Sequence, residues 1–100
     1  MKSVSLAEIS CATFVELLHS RFRIQGSGPA PIELELQEAT PHQAGSFSLI
    51  FAGPLTQFLP QRTYRFEHDK PLSCDLFIVP IGRDQNGFQY EAIVNRAVQR

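Results

Sequence analysis

The residues of this chain best suited to chemistry are three histidines, His19, His42 and His68, and two cysteines, Cys11 and Cys74. Imidazole is the usual acid–base and metal-binding group near neutral pH. A local metal site needs ligands at spacings such as His-x3-His or Cys-x2-Cys, and the sequence contains none. His19 falls at a predicted helix C-terminus, where the helix dipole favours the protonated ring. His42 falls in a predicted turn. His68 is in phase with the apolar face of a predicted strand and is followed by Asp69. All three read as structural. A thiol nucleophile needs an imidazole beside it, yet Cys74 is in phase with Leu72 and Leu76, and apolar burial keeps a thiol protonated and inert. Cys11 lies in the predicted helix. Two cysteines so far apart define no disulfide framework, and both are expected as free thiols.

Other candidate groups fare no better. Glu33 and Glu35 share one face of a strand, but Arg21 and Arg23 alternate in the same way on the segment before it, so these charges read as a solvated exterior. Gly26-Ser27-Gly28 lacks the lysine of a phosphate loop and leads through Pro29 into a strand rather than a helix, so it is a turn. No Gly-x-Ser-x-Gly elbow occurs. No catalytic, cofactor-binding or metal-binding residue is therefore expected, and no cofactor.

Composition sets the frame that these residues occupy. One hundred residues, 43% hydrophobic and 19% charged, suit a single globular domain over 1–100. The net charge of −1 and the scattered basic residues argue against a nucleic-acid partner. No stretch approaches the length of a membrane span and no signal-peptide core is present, so a soluble cytoplasmic protein is expected.

Periodicity supplies the elements. Ser5-Leu6-Ala7-Glu8 fits a capping box, and Leu6, Ile9, Thr13 and Leu17 follow helical spacing, with Phe14 and Leu18 widening the stripe. A helix over about 5–19 follows, with Thr13 as an alternative cap for a second short helix. Alternating apolar and polar residues predict strands over about 21–24, 32–39, 46–52, 63–68, 73–81 and 88–95. Pro41 to Gly45, Gly53-Pro54 and Asp69-Lys70-Pro71 separate them, and Asn86-Gly87 predicts a tight hairpin with positive φ. Phe77, Val79 and Ile81 make the fifth strand apolar on its second face, which calls for a cover, and the N-terminal helix is the expected one. The fold class is mainly β within α+β: an N-terminal helix packed on a five- to six-stranded antiparallel meander that forms a small, partly closed barrel.

One connection is unusually apolar. Between Pro54 and Pro60 lie Leu55, Phe58 and Leu59. The segment either folds back to cap an end of the barrel or presents an apolar tip to a partner, which makes Leu55, Phe58 and Leu59 the candidate contact residues.

Several strings together carry a family resemblance: Phe47-Ser48-Leu49-Ile50-Phe51-Ala52-Gly53-Pro54, Leu59-Pro60-Gln61, Leu76-Phe77-Ile78-Val79-Pro80-Ile81-Gly82 and Asn86-Gly87-Phe88-Gln89-Tyr90-Glu91-Ala92. The chain resembles a family of short bacterial proteins that carry a domain of unknown function. The resemblance spans nearly the whole chain, and the family pattern has a glycine where this chain has His19. It implies a stand-alone bacterial domain with no catalytic residues, in an accessory or assembly role near phage-derived tail-like proteins.

These features point first to a non-enzymatic protein-interaction module. A small-ligand-binding barrel is the alternative, with a cavity lined by Phe47, Tyr64 and Tyr90 and weak hydrolysis centred on His68 with Asp69 or Tyr64. A homodimer joined through an uncovered strand edge is the third expectation.

Overall fold

The computed structural model describes residues 10–25, 30–69 and 72–94. The proposed capping box at Ser5 and Glu8, and Leu6 and Ile9, lie outside them. Within them the chain forms α1 (Cys11–Val15), β1 (Arg21–Ile24), β2 (Ile32–Pro41), a 3-10 turn (Gln43–Gly45), β3 (Phe47–Gly53), β4 (Arg62–His68), β5 (Leu72–Asp84) and β6 (Gly87–Val94). The strands close into an antiparallel barrel in the order β1-β2-β3-β6-β5-β4. The expected small antiparallel barrel is present, and its ring is complete.

The order departs from a plain meander at one crossing. β1 to β3 and β4 to β6 are each sequential, but the Pro54–Gln61 connection carries the chain across the barrel, so β3 pairs with β6 and β1 with β4. Arg23 opposite Glu67 and Ile24 opposite Phe66 form the closing pairs. Closure removes the sheet edge on which edge-to-edge dimerisation depends. Bulges between Leu36 and Glu38 and between Pro80 and Gly82 bend β2 and β5 to fit the ring.

Alternation decides what fills the barrel. Phe22, Ile24, Leu34, Leu36, Phe47, Leu49, Phe51, Phe66, Leu76, Ile78, Tyr90 and Ala92 point inward and are buried. Phe22, Phe51 and Phe66 pack ring on ring, with centroids between 4.8 and 6.3 Å apart. A six-stranded barrel filled in this way is a core rather than a container.

Among the described residues the α-helix ends earlier than its periodicity suggests. It covers Cys11–Val15, capped in sequence by Ser10, and turns continue to His19. Phe14 plugs one end of the barrel against Phe22 and Phe47, at 6.2 and 5.7 Å. The His19 amide then donates to the Leu36 carbonyl at 2.7 Å, which docks the chain on β2. His19 takes φ +69°, a left-handed conformation that glycine adopts freely and a histidine adopts at a cost. The helix therefore packs against the end of the barrel and β2, not over β5 as expected. Among the described residues the second face of β5 is uncovered, and Phe77 and Ile81 are exposed there.

Candidate functional site

The apolar segment between the prolines is built from both of its ends. β3 ends at Gly53, just before Pro54, and a side chain at this position would overlap Leu34 and press on Tyr90. The hairpin glycine, Gly87, sits against the Gly53 carbonyl, so the β5–β6 turn and the start of the loop are in van der Waals contact. The Gln57 amide bonds back to the Pro54 carbonyl at 3.4 Å and forms the first bend. At the far end, the buried Leu59 amide donates to the Tyr90 hydroxyl at 3.0 Å, and the Tyr64 hydroxyl donates to the Pro60 carbonyl at 2.8 Å.

These two phenols stay protonated. Burial pushes the Tyr64 hydroxyl up, against a downward pull from the Arg62 guanidinium, which sits 5.3 Å over its ring. Burial likewise pushes Tyr90 up, opposed by the Leu59 amide bond and helped by Tyr64.

The pinned loop sorts its apolar side chains. Leu59 turns in and is 3% exposed, so it belongs to the core and leaves the set of candidate contacts. Its amide is consumed by Tyr90, and its side chain fills the barrel mouth. Leu55 and Phe58 turn out, at 45% and 51% exposure. Phe58 does not swing freely: its ring stands edge-on to Phe88, with centroids 5.2 Å apart and planes at 74°. The segment caps the barrel with one residue and presents an apolar tip with two others.

The catalytic alternative is not assembled. His68 is buried against Phe22, with ring centroids 4.7 Å apart, and its Nε2 lies 2.8 Å from the Ser20 hydroxyl. That hydroxyl donates to the Leu17 carbonyl at 2.5 Å, so it accepts from His68. The Asp69 carboxylate is held by Arg23 at 2.7 Å, and the Tyr64 hydroxyl is spent on Pro60. Cys74 and Cys11 are both free thiols. Burial first, then the Asp75 charge, pushes Cys74 up to about 11, against a smaller downward pull from Arg65. Such a thiol is no nucleophile at neutral pH. Among the described residues, no group of three or more His, Cys, Asp or Glu could hold a metal ion.

Several charges of the exterior are paired. Arg21 meets Glu33 at 3.3 Å, Arg65 meets Asp75 at 2.6 Å, and His19 lies 3.7 Å from Glu35. Arg23 turns instead to Asp69, which the β1–β4 closure brings beside it. A cleft of about 620 Å³ runs over the outer side of β2, with Glu33, Glu35 and Gln37 on one wall and Thr56, Gln57 and Asn86 on the other. It lies outside the barrel. Phe47 and Tyr90, expected as a cavity lining, are fully buried in the core, and Tyr64 is nearly so.

A closed six-stranded antiparallel barrel with a pinned apolar loop over one mouth is the class of protein that this geometry defines. The chain belongs to the family described as domain of unknown function DUF6916, whose family model matches residues 9–94. No curated protein and no solved structure matches it. No helix among the described residues is long and apolar enough to cross a membrane.

Proposed function

We propose that the chain is a non-enzymatic interaction module that docks on a protein partner through Leu55 and Phe58. One observation carries this reading: Phe58 is half-exposed yet fixed on Phe88, in a loop anchored by Tyr90 and Tyr64. An exposed aromatic normally pays rotational entropy on binding, and one already held in place loses less. Aromatic anchors of this kind dominate the energetics of interfaces. The resemblance to short bacterial proteins supports an accessory or assembly role in the cytoplasm, near phage-derived tail-like structures.

Affinity capture of tagged wild type and Phe58→Asp from the native cells tests this. A stoichiometric protein recovered with wild type and lost with the variant is the expected result. An identical set of recovered proteins from both would overturn it. A second reading rests on the outer cleft of about 620 Å³ beneath the same loop, which is roomy enough for a small polar ligand. A thermal shift with a metabolite, abolished by Gln57→Ala, would support that reading instead.

A further inference from the structure

The exterior of the barrel is divided in two by its topology. The strands β4, β1 and β2 are neighbours, and their outward residues include Arg65, Glu67, Arg21, Arg23, Glu33 and Glu35. The strands β3, β6 and β5 are also neighbours, and they are different. Their inward residues are fixed by burial: Leu49 and Phe51, Tyr90 and Ala92, Leu76 and Ile78. Alternation therefore turns Ile50, Glu91, Ile93, Phe77 and Val79 outward. Ile93 is 63% exposed and Phe77 49%. Ile78 pairs with Ala92, so one step along the two antiparallel strands sets Phe77 across from Ile93. Single exposed apolar residues are ordinary; a contiguous set across three strands is not.

Asp75, also on the outer face of β5, is held at the edge by Arg65 of β4, and Glu91 is the charge at the centre of the apolar set. Glu91 pairs with Ile50 of β3 on one side and with Val79 of β5 on the other, and it is half-buried between them. It has no ion-pair partner among the described residues, whereas Glu33, Asp69 and Asp75 each meet an arginine. A two-fold contact through the centre of this face would set one Glu91 against another, which disfavours a second copy as the occupant. The face calls for apolar side chains around one cation. Three strands at about 4.8 Å spacing span about 10 Å, the diameter of a helix.

We propose that the outer face of β3, β6 and β5 is a second docking surface, made of strands rather than of the 54–60 loop. It fits an amphipathic helix of a partner protein whose apolar stripe carries a lysine or arginine placed to meet Glu91. Phe77 and Ile93 supply the apolar contact, and Glu91 sets orientation and selectivity, as a flanked charge does at an interface.

The test uses two helical peptides of about four turns, each with a leucine stripe at helical spacing, one with lysine and one with glutamate at the stripe centre. Backbone amide shifts of the full-length protein locate binding, and calorimetry gives affinity. The expected result is shifts confined to 48–52, 77–79 and 89–93, with the lysine peptide about tenfold tighter. Glu91→Lys should reverse the preference, and Ile93→Asp, at an exposed position, should abolish binding without unfolding the barrel. Shifts elsewhere, or equal affinity for the two peptides, would overturn the proposal. So would a concentration-dependent dimer that Ile93→Asp dissociates, which would put a second copy on the face. Binding that appears only after residues 1–9 are removed would put the chain's own terminus there and would equally overturn it.

Discussion

The hydroxyl of Tyr90, on the last strand, accepts the amide hydrogen of Leu59 at 3.0 Å, 31 residues earlier in the chain. This bond joins the crossing loop to the barrel wall and fixes which side of Leu59 faces the core. Phe58, its neighbour, is thereby committed to the outside.

Tyr90→Phe keeps the ring and deletes the acceptor. The Leu59 amide is then buried without a partner, which costs about 1–3 kcal/mol. Chemical denaturation should show a loss in this range. Hydrogen exchange of the Leu59 amide should accelerate more than that of strand amides such as Leu49. A variant as stable as wild type, with Leu59 still protected, would mean that the bond does not hold the loop.

Gly87 and Gly53 set how closely the hairpin approaches the loop. Gly87→Ala would drive a methyl group into the Gly53 carbonyl at φ +154°, where neither backbone can yield cheaply. Gly53→Ala meets the end of the Leu34 side chain, which can rotate away, and lies 3.3 Å from the Tyr90 ring. Both should destabilise, at about 1–3 kcal/mol for Gly53→Ala and more for Gly87→Ala. Thermal melts of the two variants check the order.

His19 holds a left-handed conformation at φ +69°, and among the described residues its side chain makes only an exposed, 3.7 Å approach to Glu35. Removing the Cβ relieves the strain. His19→Gly should stabilise the protein by about 1 kcal/mol, read as a rise of about 5 °C in Tm, whereas His19→Ala should not.

The thiols should separate by reactivity. At pH 8 a small alkylating reagent should modify Cys11, which is partly exposed, well before Cys74. Cys74 also ties stability to alkaline pH. Its folded pKa is raised from 9.0 to about 11, so below pH 9 its contribution is fully present. Between pH 9 and 11 the unfolded chain loses that proton and the folded one keeps it, so stability falls as pH rises. Cys74→Ala should flatten the decline over this window.

Much of the fold was legible because burial writes a period of two into the strands. Ile32-Glu33-Leu34-Glu35-Leu36 announces its inner and outer faces residue by residue, and Asp84-Gln85-Asn86-Gly87 announces its hairpin, although the tip falls at Gln85-Asn86 and Gly87 opens β6. Ring closure was not legible, because Arg23 and Glu67 lie far apart in sequence and no local signal links them. The loop was half legible. Leu55, Phe58 and Leu59 stood out as apolar residues in a connection, but a segment between prolines has no periodicity to say which of them turns in. That choice belongs to Tyr90 and Tyr64, whose hydroxyls come from other strands. The α-helix stops before the end of its stripe because Leu17 and Leu18 sit in turns closed by i→i−3 bonds to Phe14 and Val15 rather than by α-helical i→i−4 bonds, and these turns still pack Leu17 into the core.

The central claim is that Phe58 is a contact point for a protein partner. A photo-crosslinking phenylalanine analogue placed at position 58 in the native cells tests it most directly, with the same analogue at Arg65, an exposed residue of the charged half, as reference. The account predicts one discrete, higher-mass adduct from position 58 that the reference position does not give. No adduct from position 58, or the same adducts from both positions, would contradict it.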